Sequence, residues 1–205
     1  MPADPPPILQ VQDLRLAHPG QPPLFDGLSF ELPPGLTRLD AERGKTSLLR
    51  ALAGTLPATG GFRLDGRSWL PGEGAGSVAA IDPRDPAWDP LTPDALAERL
   101  RPRLPRWQPA DWERHLARFG LHEHRAKTLG MLSTGSRRKV ALAATLAGGA
   151  RLNLLDEATA GLDRPSLDAL EEALAAEAAR GDRAWLLAAA WGLEDRLPWA
   201  GVLAP

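Results

Sequence analysis

Apolar positions recur among polar ones along two early stretches of the chain. Leu9 to Leu16 places apolar residues at 9, 11, 14 and 16, and Leu28, Phe30 and Leu32 alternate cleanly; both read as strands with one buried face. Pro33-Pro34-Gly35 reads as a turn into a short apolar strand, Leu36 to Leu39. From Lys45 the pattern changes to helical, with Leu48 and Leu49 leading to Gly54 as a left-handed cap. Phe62 to Leu64 followed by Asp65-Gly66 predicts a strand and hairpin turn, and Ser77 to Ile81 another strand.

The pattern then shifts. Seven prolines fall between Pro83 and Pro109, with Trp88, Trp107 and Trp112 in or beside that stretch. Helical spacing returns at Trp112 to Phe119 and at Arg137 to Leu146, so the segment reads as an inserted helical lobe with the proline-rich stretch leading into it. Leu152 to Leu155 is a short apolar strand that ends in Asp156-Glu157. Pro165 starts a helix that shows Leu167, Leu170 and Leu174 on one face and stops at Gly181. Trp185 to Ala190 predicts a last buried strand. Strands alternating with helices predict an α/β protein built on a parallel sheet.

Length and composition narrow the classes. A chain of 205 residues fits one domain, in two lobes. Lys plus Arg total 24 and Asp plus Glu total 26, for a net charge of −2, which argues against a mainly electrostatic binder of nucleic acid or membrane. Arg99, Arg101, Arg103 and Arg106, with acids interspersed, read as a solvated face. There is no cysteine, so disulfides and thiolate metal sites are excluded. Met1 to Pro7 lacks the pattern of a signal peptide. The longest apolar stretch, Ala184 to Ala190, is too short to cross a bilayer, so no direct membrane insertion is expected. His115, His122 and His124, beside Glu123, read as a solvated stretch, since nothing there fixes a tetrahedral metal set.

Two motifs carry chemistry. Asp40-Ala41-Glu42-Arg43-Gly44-Lys45-Thr46-Ser47 lies between an apolar strand and a helix. Gly-Lys-Thr in that setting is the end of a phosphate-binding loop. Backbone N–H groups and the helix N-terminus face the phosphates, Lys45 reaches the terminal ones, and the Thr46 hydroxyl holds Mg²⁺. The full pattern has a glycine where Leu39 stands, and Asp40 and Glu42 add negative charge near a polyphosphate. The second motif is the acidic pair. A carboxylate at the end of a strand facing such a loop can hold Mg²⁺ through water, and the next can orient an attacking water.

Leu132-Ser133-Thr134-Gly135-Ser136 precedes a basic helix, Asp156 lies 23 residues beyond Ser133, and Ala160-Gly161-Leu162-Asp163 comes after the acids. In these motifs, their order and their spacing, the chain resembles the nucleotide-binding subunits of ATP-binding cassette (ABC) transporters, over about Leu9 to Trp191. Its shortness, and the run Arg138-Lys139-Val140-Ala141-Leu142-Ala143, resemble the small bacterial exporter type, the haem exporters of cytochrome c maturation among them.

The resemblance implies a P-loop NTPase core over residues 1–82 and 151–205, with an antiparallel β subdomain, and a helical signature lobe over residues 83–150. It implies ATP and Mg²⁺ as cofactors and Lys45, Asp156 and Glu157 as catalytic residues. Two cassettes, alike or different, would sandwich ATP, with Ser133 and Gly135 of one meeting the γ-phosphate bound by the other and Asp163 close by. A membrane-spanning subunit would be the transport partner, keeping the chain cytoplasmic and peripheral to the inner membrane, with the three tryptophans near its docking groove. Trp88 is expected either to line that groove or to pack locally.

Four positions depart from the family pattern: Leu39, Glu42, Asp82 and Trp191. Asp82 falls where a glutamine reports γ-phosphate and Mg²⁺; it can approach the metal but, ionised, donates no hydrogen bond. His18 stands where an aromatic ring stacks on adenine. Trp191 replaces the switch histidine, which should slow hydrolysis strongly. Two readings therefore stand: an ATPase that powers transport, attenuated in rate, or a degenerate cassette that binds nucleotide and depends on a competent partner. A soluble cassette acting on ribosomes or DNA would bring a second cassette or long coiled coils, and this chain has neither.

Overall fold

The computed structural model describes residues 5–74, 76–188 and 192–205. Strands β1 (Leu9–Leu16), β2 (Phe25–Leu32), β4 (Thr59–Leu64) and β5 (Arg67–Ser68) form an antiparallel sheet in the order β2-β1-β4-β5. The second sheet is parallel throughout. It runs β6-β7-β8-β3-β9, using β6 (Val78–Ala79), β7 (Leu152–Asp156), β8 (Ala184–Ala188), β3 (Gly35–Leu39) and β9 (Trp199–Leu203). Helix α1 (Lys45–Leu52) comes after β3. Helices α2 (Pro93–Leu100), α3 (Pro109–Arg118) and α4 (Thr134–Gly148) fall between β6 and β7, and α5 (Arg164–Arg180) links β7 to β8.

The parallel sheet has a covered layer on each face, which is why β8 is wholly apolar and β7 and β3 are mostly so, rather than alternating with polar residues. Strand β8 makes this plain. Trp185 and Leu187 join the core formed with α2–α5, while Ala184, Leu186 and Ala188 join the core formed with α1 and the antiparallel sheet. Successive side chains of a strand point to opposite faces, so one five-residue run serves two cores. Leu36 and Leu39 of β3 divide in the same way.

The structure extends and corrects the sequence picture. The proline-rich stretch is not merely a lead-in. Pro93 occupies the first turn of α2, whose N-cap Thr92 accepts a hydrogen bond from the Ala95 amide. Proline is tolerated there because that N–H has no intrahelical partner. The strand expected over Ser77 to Ile81 is only Val78–Ala79, and β9 has no counterpart in the sequence pattern. Ala189 and Ala190, expected to extend β8, lie outside the described residues. His115 is not solvated: on α3 it is 5% exposed, against Phe119. Trp107 and Trp112 are core residues with ring centroids 5.6 Å apart.

Burial, reinforced by the charge of Arg114, lowers the pKa of His115 from 6.5 to about 4. Below pH 6.5 the unfolded chain therefore binds a proton that the native chain refuses. Stability should be fully present above pH 6.5 and fall by up to about 3 kcal/mol as pH approaches 4. Denaturant titrations of the wild type and His115→Leu between pH 7 and 5 check this: the variant should show a flatter dependence.

Candidate functional site

The site is built by strand register. Leu39, the last residue of β3, is level with Ala188 of β8, which is level with Asp156, the last residue of β7. The loop leaving β3 and the acids leaving β7 therefore emerge at the same carboxyl edge, one strand apart. Open α/β sheets bind ligands outside that edge.

Leu39 stands where the full motif has a glycine, but its side chain is interior and its backbone continues the ladder. The loop begins after it. The Asp40 amide donates to the Leu203 carbonyl at 2.8 Å, and its carboxylate faces Arg38 at 3.6 Å. Ala41 is buried, so its side chain is part of the core, whereas Glu42 and Arg43 are exposed. Gly44 is required on two counts. Its φ of 79° is left-handed, and a Cβ there would lie 2.9 Å from the Phe25 ring. It caps α1 with no side chain over the first turn, so the amides of that turn are open to a phosphate. Half-buried Lys45 and exposed Thr46 come next.

Thr46 Oγ1 donates to Asp156 Oδ2 at 2.8 Å. A hydroxyl and a carboxylate oxygen thus converge on one point. That suits Mg²⁺, which is held by one or two protein oxygens together with substrate phosphates and waters. Among the described residues no three His, Asp or Glu side chains gather as a metal centre, so the nucleotide would have to complete the coordination. When bound, the ion would draw charge from the terminal phosphate. Glu157 has a φ of 49°, a left-handed conformation uncommon for a side chain of its size. Arg138, almost fully buried, steadies that turn, with Nη2 at 3.3 Å from Glu157 Oε2 and Nη1 donating to the Ala160 carbonyl.

The other candidate residues lie around this centre. His18 Nε2 is 3.0 Å from Ser47 Oγ, which holds the imidazole beside the loop. Asp82 Oδ1 accepts from the amide and Nε of Arg84. Ser133 is the N-cap of α4, and its Oγ accepts from the Ser136 amide at 3.1 Å. A Cβ on Gly135 would meet the Gly161 carbonyl at 2.7 Å, so α4 starts in contact with the turn after the acids. Asp163 caps α5; its hydrogen bond from Ser166 and its pairing with Lys139 at 2.9 Å lower its pKa to about 2. Trp191 lies outside the described residues.

Sequence reasoning missed Arg84. Its guanidinium lies 3.7 Å from both Asp156 and Glu157. Partial burial works against its charge, but Asp82, Glu157 and Asp156 more than offset this and raise its pKa. No motif marks it, because its role arises only when distant segments meet.

Loop, strand and acids together define a phosphate-loop nucleotide-binding domain. A family model described as "ABC transporter" matches residues 43–160. The chain is 34% identical to the cytochrome c biogenesis ATP-binding export protein CcmA of Pseudomonas fluorescens, over 85% of each chain. It is 33% identical to the cobalt import ATP-binding protein CbiO of Rhodobacter capsulatus, over 77% of this chain and 61% of that one. Its fold matches a solved ATP-binding subunit of an ABC transporter with a TM-score of 0.75 at 20% identity, over 88% of this chain and 79% of that one. The chain belongs to the ABC transporter family, as an ATP-binding subunit.

Gly44→Ala should lower stability by about 1–2 kcal/mol through the left-handed backbone and the Phe25 contact. The urea midpoint of the variant checks this, and adding Phe25→Ala should recover none of the backbone part.

Proposed function

We propose that the chain binds Mg-ATP on the loop of residues 40–47 and hydrolyses it within a head-to-tail pair of cassettes, driving export through a separate membrane-spanning subunit. The observation that carries the reading is the level register of β3, β8 and β7, which brings the Thr46 hydroxyl onto the Asp156 carboxylate. The backbone from Asp40 to Arg43, with Gly44 to Ser47, wraps the phosphates, and Lys45 neutralises the terminal ones. Thr46 and Asp156 take the metal, with Asp82 at its edge. Glu157 orients the attacking water and His18 lies along the base. Ser133 and Gly135, at the positive end of α4 in the lobe of residues 83–150, receive the γ-phosphate held by the second cassette. Asp163 shapes the same face.

Export is favoured by the CcmA relatives, named as export proteins. No helix among the described residues is long and apolar enough to cross a membrane, which suits attachment through a membrane subunit. A cleft of about 520 Å³ lined by Ala53, Glu73, Ile81, Trp88 and Arg103 is the natural seat for a loop of that subunit. Trp88→Ala should weaken co-purification with the membrane subunit and leave ATP affinity unchanged.

The retained Glu157 favours hydrolysis over passive binding, at a rate reduced by Trp191. Steady-state ATPase assays of the wild type beside Glu157→Gln test this. The expected fall is about a hundredfold, with ATP-dependent dimers accumulating in the variant by sedimentation. Equal background rates would instead favour a cassette that relies on a competent partner.

A further inference from the structure

Three carboxylates, Asp82, Asp156 and Glu157, converge on the side chain of Arg84. Nε lies 3.3 Å from Asp82 Oδ1, Nη2 lies 3.7 Å from Asp156 Oδ2, and Nη1 lies 3.7 Å from Glu157 Oε2. The Asp156 oxygen it faces is the one that accepts the Thr46 hydroxyl, the point where a metal ion would be held. The other arginine at Glu157, Arg138, is buried and committed to the Ala160 carbonyl as well.

The two kinds of contact differ. Toward Asp82, Arg84 is tethered by hydrogen bonds from its own amide at 2.9 Å and from Nε. Toward Asp156 and Glu157, 3.7 Å is too long for a hydrogen bond, so only charge attraction holds it there. With half of the side chain exposed, that attraction is weakened by solvent and exchangeable. The surrounding segment is fixed. Arg137 of α4 donates to the Pro83 and Asp85 carbonyls and pairs with Asp89 at 2.6 Å, so Arg84 moves on a held backbone.

We propose that Arg84 is a built-in counter-cation of the acidic pair: without nucleotide its guanidinium neutralises Asp156 and Glu157, and the divalent ion gains Asp156 only by displacing it. The inference rests on the nucleotide-binding reading above. Arg84 thereby sets metal affinity. It keeps the acids from capturing a divalent ion alone, so that metal binding waits for the added negative charge of the phosphates. The tether to Asp82 keeps the displaced guanidinium at the rim, where Asp82 and Arg84 together carry no net charge toward a polyphosphate.

Mn²⁺ binding without nucleotide, measured by electron paramagnetic resonance, tests this in the full chain. Arg84→Gln should bind Mn²⁺ roughly five- to tenfold more tightly than the wild type. Arg84→Lys, which keeps the charge, should stay near the wild type. Adding Asp156→Asn to Arg84→Gln should cancel the gain. Equal Mn²⁺ affinity in wild type and Arg84→Gln, while the wild type still binds Mg-ATP, would overturn the proposal and leave the nucleotide reading standing. Wild-type chain that binds neither Mn²⁺ nor Mg-ATP would overturn both.

Discussion

The hydrogen bond from Thr46 to Asp156 joins residues 110 positions apart in sequence, and the site depends on the constraint behind it. That constraint is the common level at which β3, β8 and β7 end. Parallel strands in register deliver their outgoing connections to one edge. A hydroxyl from one connection and a carboxylate from another are thus brought together without any contact in sequence. Burial enforces the register, because a slip of one residue on β8 would exchange Trp185 and Leu187 with the side chains of the opposite core.

Electrostatics then decides how such a site survives without its ligand. Carboxylates held close together repel one another when no cation lies between them. In this chain Arg138 takes one side of Glu157 from the interior, and Arg84 faces both acids from solvent. The buried cation fixes a turn whose backbone is left-handed at Glu157. The exposed one is free to yield. The same division holds at the start of α4, where Arg137 anchors the segment from Pro83 to Asp89, while Ser133 keeps its hydroxyl at the helix end.

The sequence makes legible whatever local pattern determines. The alternation in β2, the apolar runs of β3 and β7, and the helix from Pro165 are consequences of residue spacing, and their ends fall close to the expected positions. Helix α2 is hidden because Pro93 reads as a breaker unless it is known to stand in the first turn. Strand β9 is hidden because Trp199–Leu203 carries a glycine and little pattern, and becomes a strand by pairing with β3. Motif residues such as Lys45, Asp156 and Glu157 are legible because their chemistry needs fixed neighbours. Arg84 is not, since it reaches the acids across more than seventy residues of sequence. Asp82 stands out by its position in the chain, but its carboxylate is engaged by Arg84, which no periodicity announces.

The central claim is that a triphosphate lies on the loop ahead of α1, with Lys45 as its principal cation. Calorimetric titration of Mg-ATP into the wild type and Lys45→Ala addresses it most directly. The account predicts saturable binding by the wild type and a loss of at least tenfold in affinity in the variant, on the order of 1.4 kcal/mol or more. Equal affinities in the two proteins would contradict it.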